Sequence, residues 1–328
     1  MLGVVVLHYN VSSIGGGFAV VPQGSINEML MYFLESLCIA AVDIFVLITG
    51  YFMANTKKSG LYKPFYLVSQ VIFLRVIFYI VDIVTKVKTV DFWTVLKSLL
   101  PMYWFVSVYI ALYLLAPFIN GFLNILSAKK LKIFLLLIFL MFSVGDTIAN
   151  ALSEVQGIEF NELSFISGGA SVHGYSIVQF VMLYCIGASI RKYPQVVTKF
   201  KSSVLALVVI LCTVVIMGWS FMEATALNYN DPLVMVNAVA IFMLFLGRDM
   251  GSIRWINALA SGSFAVYVVN PYLYRYFDIP RFVAGNTGIY LLHTLGVAVA
   301  IYMVGWILGN LYDLLLGKIR PKLPEYEI

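Results

Sequence analysis

The chain has 328 residues, 62% of them apolar and only 11% charged, with a net charge of +5. A soluble domain carries about 25% charged residues, so this composition excludes a water-soluble fold and places the chain in a lipid bilayer. Its Lys and Arg fall in short loops between apolar runs, a pattern that reports membrane orientation and not nucleic-acid binding.

A helix needs about 20 apolar residues to cross the hydrocarbon core. The first apolar segment, MLGVVVLHYN, has half that length. It reads as the outer half of a first helix whose inner half is missing, and it carries His8. Spans follow near 28–54, 64–84, 99–119, 132–150, 175–190, 203–222, 233–247, 256–274 and 288–312. Pro117 is expected to kink or end the fourth span, because it removes a helical donor. In that span Phe105, Tyr109 and Tyr113 stand four apart and share one helix face. The expected fold is all-α: one polytopic bundle of about ten transmembrane helices, a single membrane domain over residues 1–328, its first helix truncated.

The loops alternate in charge. Lys57, Lys58 and Lys63 follow the second span, and basic residues recur at 129–132, 191–201, 248–254 and 318–322. These make fifteen on one side, against five on the other: Lys86, Lys88, Lys97, Arg275 and Arg281. The bias puts the even-numbered loops and the C-terminus in the cytoplasm, with the multi-pass chain in the plasma membrane. The longest outer loop, near 151–174, holds Glu154, Glu159 and Glu162.

Polar side chains inside spans carry the functional information, since a charge at mid-bilayer costs about 3 kcal/mol or more. Three stand out: His8, Asp43 in AAVDIFVLITGYFM and Arg75 in VIFLRVIFYI. Asp43 faces either a functional cavity or a helix–helix hydrogen bond, and Arg75 could equally pair with Asp43 or Asp82. An imidazole can exchange a proton near neutral pH, although a lone His near a helix end also serves as a packing residue. His173 reads as an outer-loop residue and His293 as a buried packing residue. There is no HExxH, GxSxG or Walker pattern, so neither a metal site nor a serine triad is expected. Cys38, Cys185 and Cys212 lie in apolar stretches and read as small filler.

Four segments in order, VVVLHYN, VDIFVLITGYFM, YWFVSVYIALYLLAPFIN and SGSFAVYVVN, resemble the acyltransferase 3 family of bacterial membrane O-acyltransferases, most of all members of the exopolysaccharide and capsule type. The resemblance runs over essentially the whole chain. It implies transfer of an acyl group, acetyl above all, from cytoplasmic acyl-CoA to a hydroxyl of a cell-surface glycan or lipid-linked glycan, with no permanently bound cofactor. It also implies that His8 is catalytic. Asp43, retained from the family's VD(I/L)FF segment, would orient or stabilise its ring. The inner-loop residues Lys57, Lys58 and Lys63, with Arg75 deeper, would hold the acyl-CoA phosphates. The chain departs from the family where a basic residue would precede His8 by eleven positions. It departs again at Asn270, where many members have His, which puts proton transfer at that position in doubt. A secondary transporter, or a non-catalytic membrane component of polysaccharide export, is the alternative. Transporters commonly show two matched halves, and VDIFVLITGYFM has no counterpart near 180–220.

Overall fold

The structure is a computed structural model and describes residues 1–328 apart from 101–102, 157–172, 223, 250, 318, 320 and 328. It is almost wholly helical. Among the described residues the one sheet has two strands of three residues each.

Every segment expected to span is helical, but length separates them. Among the described residues six helices are long and apolar enough to cross a membrane: Ile26–Met53, Tyr62–Val84, Trp104–Ile125, Ala128–Leu152, Ser202–Ser220 and Thr287–Leu315. Pro232–Leu246 is apolar but shorter. Ile177–Lys192 has 16 residues, or about 24 Å at 1.5 Å per residue, short of a hydrocarbon core of about 30 Å. The run expected at 256–274 is two helices, Arg254–Ser261 and Ser263–Leu273, and the first segment is the nine-residue helix Leu2–Asn10. Of the ten spans expected, length and composition thus support six among the described residues, because apolar content marks a helix that sits in lipid without fixing how long the helix runs.

Contacts divide the chain into two compact units. One holds Met1–Cys38, Gly60–Ser107 and Met250–Pro324; the other holds Ile39–Ser59, Val108–Asp249 and Glu325–Ile328. The long run Ile26–Met53 changes unit at a turn at residues 39–40, between helices Ile26–Cys38 and Ala41–Met53.

In the first unit Leu2–Asn10 packs on Ile26–Cys38, Ser263–Leu273 and Thr287–Leu315, and Ser263–Leu273 packs on Tyr62–Val84. Small residues let these backbones approach: a Cβ on Gly305 would lie 2.6 Å from Val266 Cα.

In the second unit Ala41–Met53 packs along Ile177–Lys192 through reciprocal glycines. A Cβ on Gly50 would lie 2.3 Å from the Tyr184 carbonyl oxygen, and one on Gly187 would lie 2.2 Å from that of Leu47. Close backbone approach replaces the hydrophobic drive that lipid cannot supply. Pro117 does not end its helix, which runs on to Ile125. The carbonyl that Pro117 leaves without a helical donor is that of Tyr113, and the Ser59 hydroxyl donates to it at 3.2 Å.

Candidate functional site

His8 stands in the last turn of Leu2–Asn10. The helix is fixed at both ends: the Tyr274 hydroxyl donates to the Val5 carbonyl at 2.6 Å, and the Gly15 amide donates to the His8 carbonyl at 2.8 Å. Val4, Val5, Leu7 and Tyr9 are buried around it, while His8 itself is half-buried.

The partner of the His8 ring is Asn270: His8 Nδ1 and Asn270 Oδ1 share a short hydrogen bond. The reason lies in the Asn-Pro step. Pro271 sits inside the helix Ser263–Leu273 and brings no N–H, so the Tyr267 carbonyl four residues back lacks its helical donor. Asn270 Nδ2 donates there at 2.8 Å, and to the Val266 carbonyl at 3.1 Å. With the amide nitrogen so engaged, Oδ1 is the atom that meets His8, which makes Nδ1 the donor nitrogen of the ring whenever the imidazole is neutral. The Nε2 lone pair is then available as a base. Asn270 is fully buried, so this arrangement is shielded from competing water.

Two residues beyond His8, Asn10 Nδ2 donates to Glu35 Oε2 at 2.9 Å, both side chains being buried. The sequence reading passed over Glu35, although a carboxyl within the apolar run YFLESLC is the signal that singled out Asp43. It also passed over Asn270 as a partner of His8, since the bond joins positions 262 apart.

Asp43 belongs to the second unit. It has no exposed surface, its carboxylate makes no hydrogen bond of standard geometry, and Gln179 on the adjoining helix is a polar neighbour. The hydrogen-bond partner of the His8 ring is Asn270 and not Asp43.

Lys57, Lys58 and Lys63 are exposed. Lys58 pairs with Glu327 at 2.9 Å, which holds its ammonium pKa above the ordinary value through the hydrogen bond and then the charge. Lys63 lies 5.4 Å from the centre of the Tyr66 ring. Arg75 is not grouped with Lys63. It stands on the same helix about 18 Å along the axis, donates to the Lys97 carbonyl at 2.6 Å and lies 5.8 Å from the Tyr103 ring centre. The resemblance set it deeper than the lysines, and the rise of the helix agrees.

His173 is exposed, with positive φ, and donates to Asn228 Oδ1 at 2.7 Å. His293 is half-buried and not wholly inside: its Nδ1 and the Tyr9 hydroxyl are 2.9 Å apart, and its ring stacks on Phe282 at 3.8 Å. Glu159 and Glu162 of the expected outer loop lie outside the described residues.

No curated protein and no solved structure gives a significant match. The model of the acyltransferase 3 family, described as an acyltransferase domain, matches residues 1–310. That match spans the His8 helix, the Asn270 segment and nearly all of both units, and the chain belongs to the acyltransferase 3 family.

Proposed function

We propose that this chain is a membrane O-acyltransferase that moves an acyl group, acetyl first among candidates, from cytoplasmic acyl-CoA to a hydroxyl of a cell-surface polysaccharide or its lipid-linked precursor. The carrying observation is the His8–Asn270 pair, which leaves Nε2 of a neutral imidazole as a base.

In the reaction, Nε2 takes the proton of the acceptor hydroxyl as its oxygen attacks the thioester carbonyl. The C–S bond breaks as the C–O bond forms, and the imidazolium returns its proton to the leaving thiolate. Acyl ester and free thiol result, and His8 is restored. Base help of this kind is worth about 100- to 10,000-fold. Nδ1–H stays on Asn270 throughout, so the ring keeps its orientation while its charge changes. Asp43 is proposed to take part as an ionisable carboxyl buried beside Gln179 in its own unit, with no bond to the ring.

Lys57, Lys58 and Lys63 are proposed to attract the donor's phosphates on the cytoplasmic side. In this reading ten helical segments cross the plasma membrane, the shorter ones within the bundle, and the C-terminus is cytoplasmic.

The test is O-acetyl content of purified surface polysaccharide by NMR, in cells lacking the gene and in cells complemented with the wild-type or His8→Ala chain. Acetyl signal restored by the first and not by the second is expected. Signal that is unchanged by deletion, or restored by His8→Ala, overturns the reading.

A further inference from the structure

The first unit contains a second polar site, separate from His8. A cavity of about 400 Å³ lies between Tyr62–Val84, the short helix Phe92–Leu99 and the end of Ser263–Leu273, lined by Arg75, Lys88 and Lys97 together with Tyr79, Asp82 and Tyr272. Its volume falls among those of small-ligand sites, about 300–1,000 Å³.

The charges are not balanced from within. Asp82, almost wholly buried, is shared by Lys88 at 2.8 Å and by Arg275. It thereby fixes Lys88 in place at the cost of its own charge. Among the described residues neither Arg75 nor Lys97 forms an ion pair. Arg75 spends one terminal nitrogen on the Lys97 carbonyl, while its Nε is buried without a hydrogen-bond partner, as is the Tyr79 hydroxyl. A guanidinium with donors left over, a lysine in no ion pair and the unpartnered Tyr79 hydroxyl are what a carboxylate or phosphate on a sugar requires. The guanidinium takes the anion, and tyrosine suits a ligand that is part polar and part apolar. Tyr272, stacked on Phe78 with centroids 4.9 Å apart, also lies two residues from Asn270, so one helix carries both the wall of this cavity and the partner of His8.

We infer that this cavity binds the acidic group of an anionic sugar unit in the acceptor, making the acceptor a charged glycan. The inference rests on the proposed acyl transfer for the word acceptor. Arg75 and the lysines after it lie toward the opposite end of the Tyr62–Val84 helix from Lys63, so a donor held at Lys63 leaves this cavity to the acceptor's side.

The test is binding to the full chain in phosphatidylcholine nanodiscs, by calorimetry and without acyl donor. The probes are a glucuronate-containing tetrasaccharide and its carboxyl-reduced form, mannose 6-phosphate and mannose, and nanodiscs with phosphatidylglycerol. Expected is at least about tenfold tighter binding of one acidic sugar than of its neutral counterpart, weakened by salt and lost in Arg75→Gln. The uronate and phosphate arms tell which anion it is. Lys97→Gln alters an exposed side chain and leaves the carbonyl bonded by Arg75, so it repeats the test if Arg75→Gln fails to fold. Equal binding of acidic and neutral sugars, a preference untouched by both substitutions, or Arg75-dependent binding of phosphatidylglycerol alone overturns the inference. Acidic-sugar preference retained in the His8→Ala chain supports the cavity whatever becomes of acyl transfer, so the two proposals fail separately.

Discussion

Asn270 holds the ring of His8 by its amide oxygen because its amide nitrogen is committed to the Tyr267 carbonyl that Pro271 leaves open. A defect in one helix thus sets the tautomer of a residue on another. It follows that Asn270→Ala should reduce acyl transfer by about 100-fold, the scale of a misplaced catalytic group, with protein still in the membrane. Pro271→Ala restores the helical donor to Tyr267, frees the amide to turn, and should give a smaller loss in the same direction. Transfer rates on purified chains check both; unchanged rates in Asn270→Ala would leave His8 oriented by something else.

The three histidines should separate cleanly. His8→Ala is expected to lower transfer by about 100- to 10,000-fold. His173→Ala and His293→Ala should keep most activity. His293→Ala also removes a contact to Tyr9 worth about 1 kcal/mol, so a lower melting temperature with retained turnover is expected. Surface acetylation and a thermal-shift assay in the same preparations decide it.

Asp43 is wholly buried, and Asp43→Asn keeps its size and hydrogen-bonding capacity near Gln179 while removing the charge. If that carboxyl takes part in the reaction, turnover should fall strongly, with Michaelis constants and expression unchanged. Full activity would reduce Asp43 to polar glue between Ala41–Met53 and Ile177–Lys192.

Neutralising Lys57, Lys58 and Lys63 to Gln together should raise the Michaelis constant for acyl-CoA more than that for the acceptor, and should blunt its salt dependence. Lys58→Gln also frees Glu327, but an exposed, solvent-screened pair contributes little, so stability should hold. In intact cells a cysteine at position 58 should resist a membrane-impermeant label that reaches one at the exposed position 281. Equal rises in both constants, or outside labelling at 58, would count against an inner donor site.

Gly187→Leu should be among the most damaging apolar substitutions, since even its Cβ would meet the Leu47 carbonyl oxygen at 2.2 Å. Loss of folded protein in detergent is expected. Gly218→Leu, where an added Cβ meets nothing within 4 Å, should be tolerated.

The sequence by itself determined the medium, the helical class and the family. Each follows from apolar run length, sparse charge and the order of four local segments, none of which depends on long-range contact. It also singled out His8 and Asp43 as side chains that do not belong in lipid. Tertiary structure alone decided which of them meet. Asn270, weighed in the sequence as the loss of a proton-transferring residue, became the holder of His8 because helices 262 positions apart pack together. Arg75, set deeper than the lysines by the resemblance, was placed against the Lys97 carbonyl and a cavity wall by the packing of a separate helix. Apolar content likewise marked helical segments but not their lengths, and among the described residues six are long and apolar enough to cross. Whether a helix runs on depends on which backbone groups find partners, as the Tyr113 carbonyl beside Pro117 does with Ser59, and such partners lie far away in the chain.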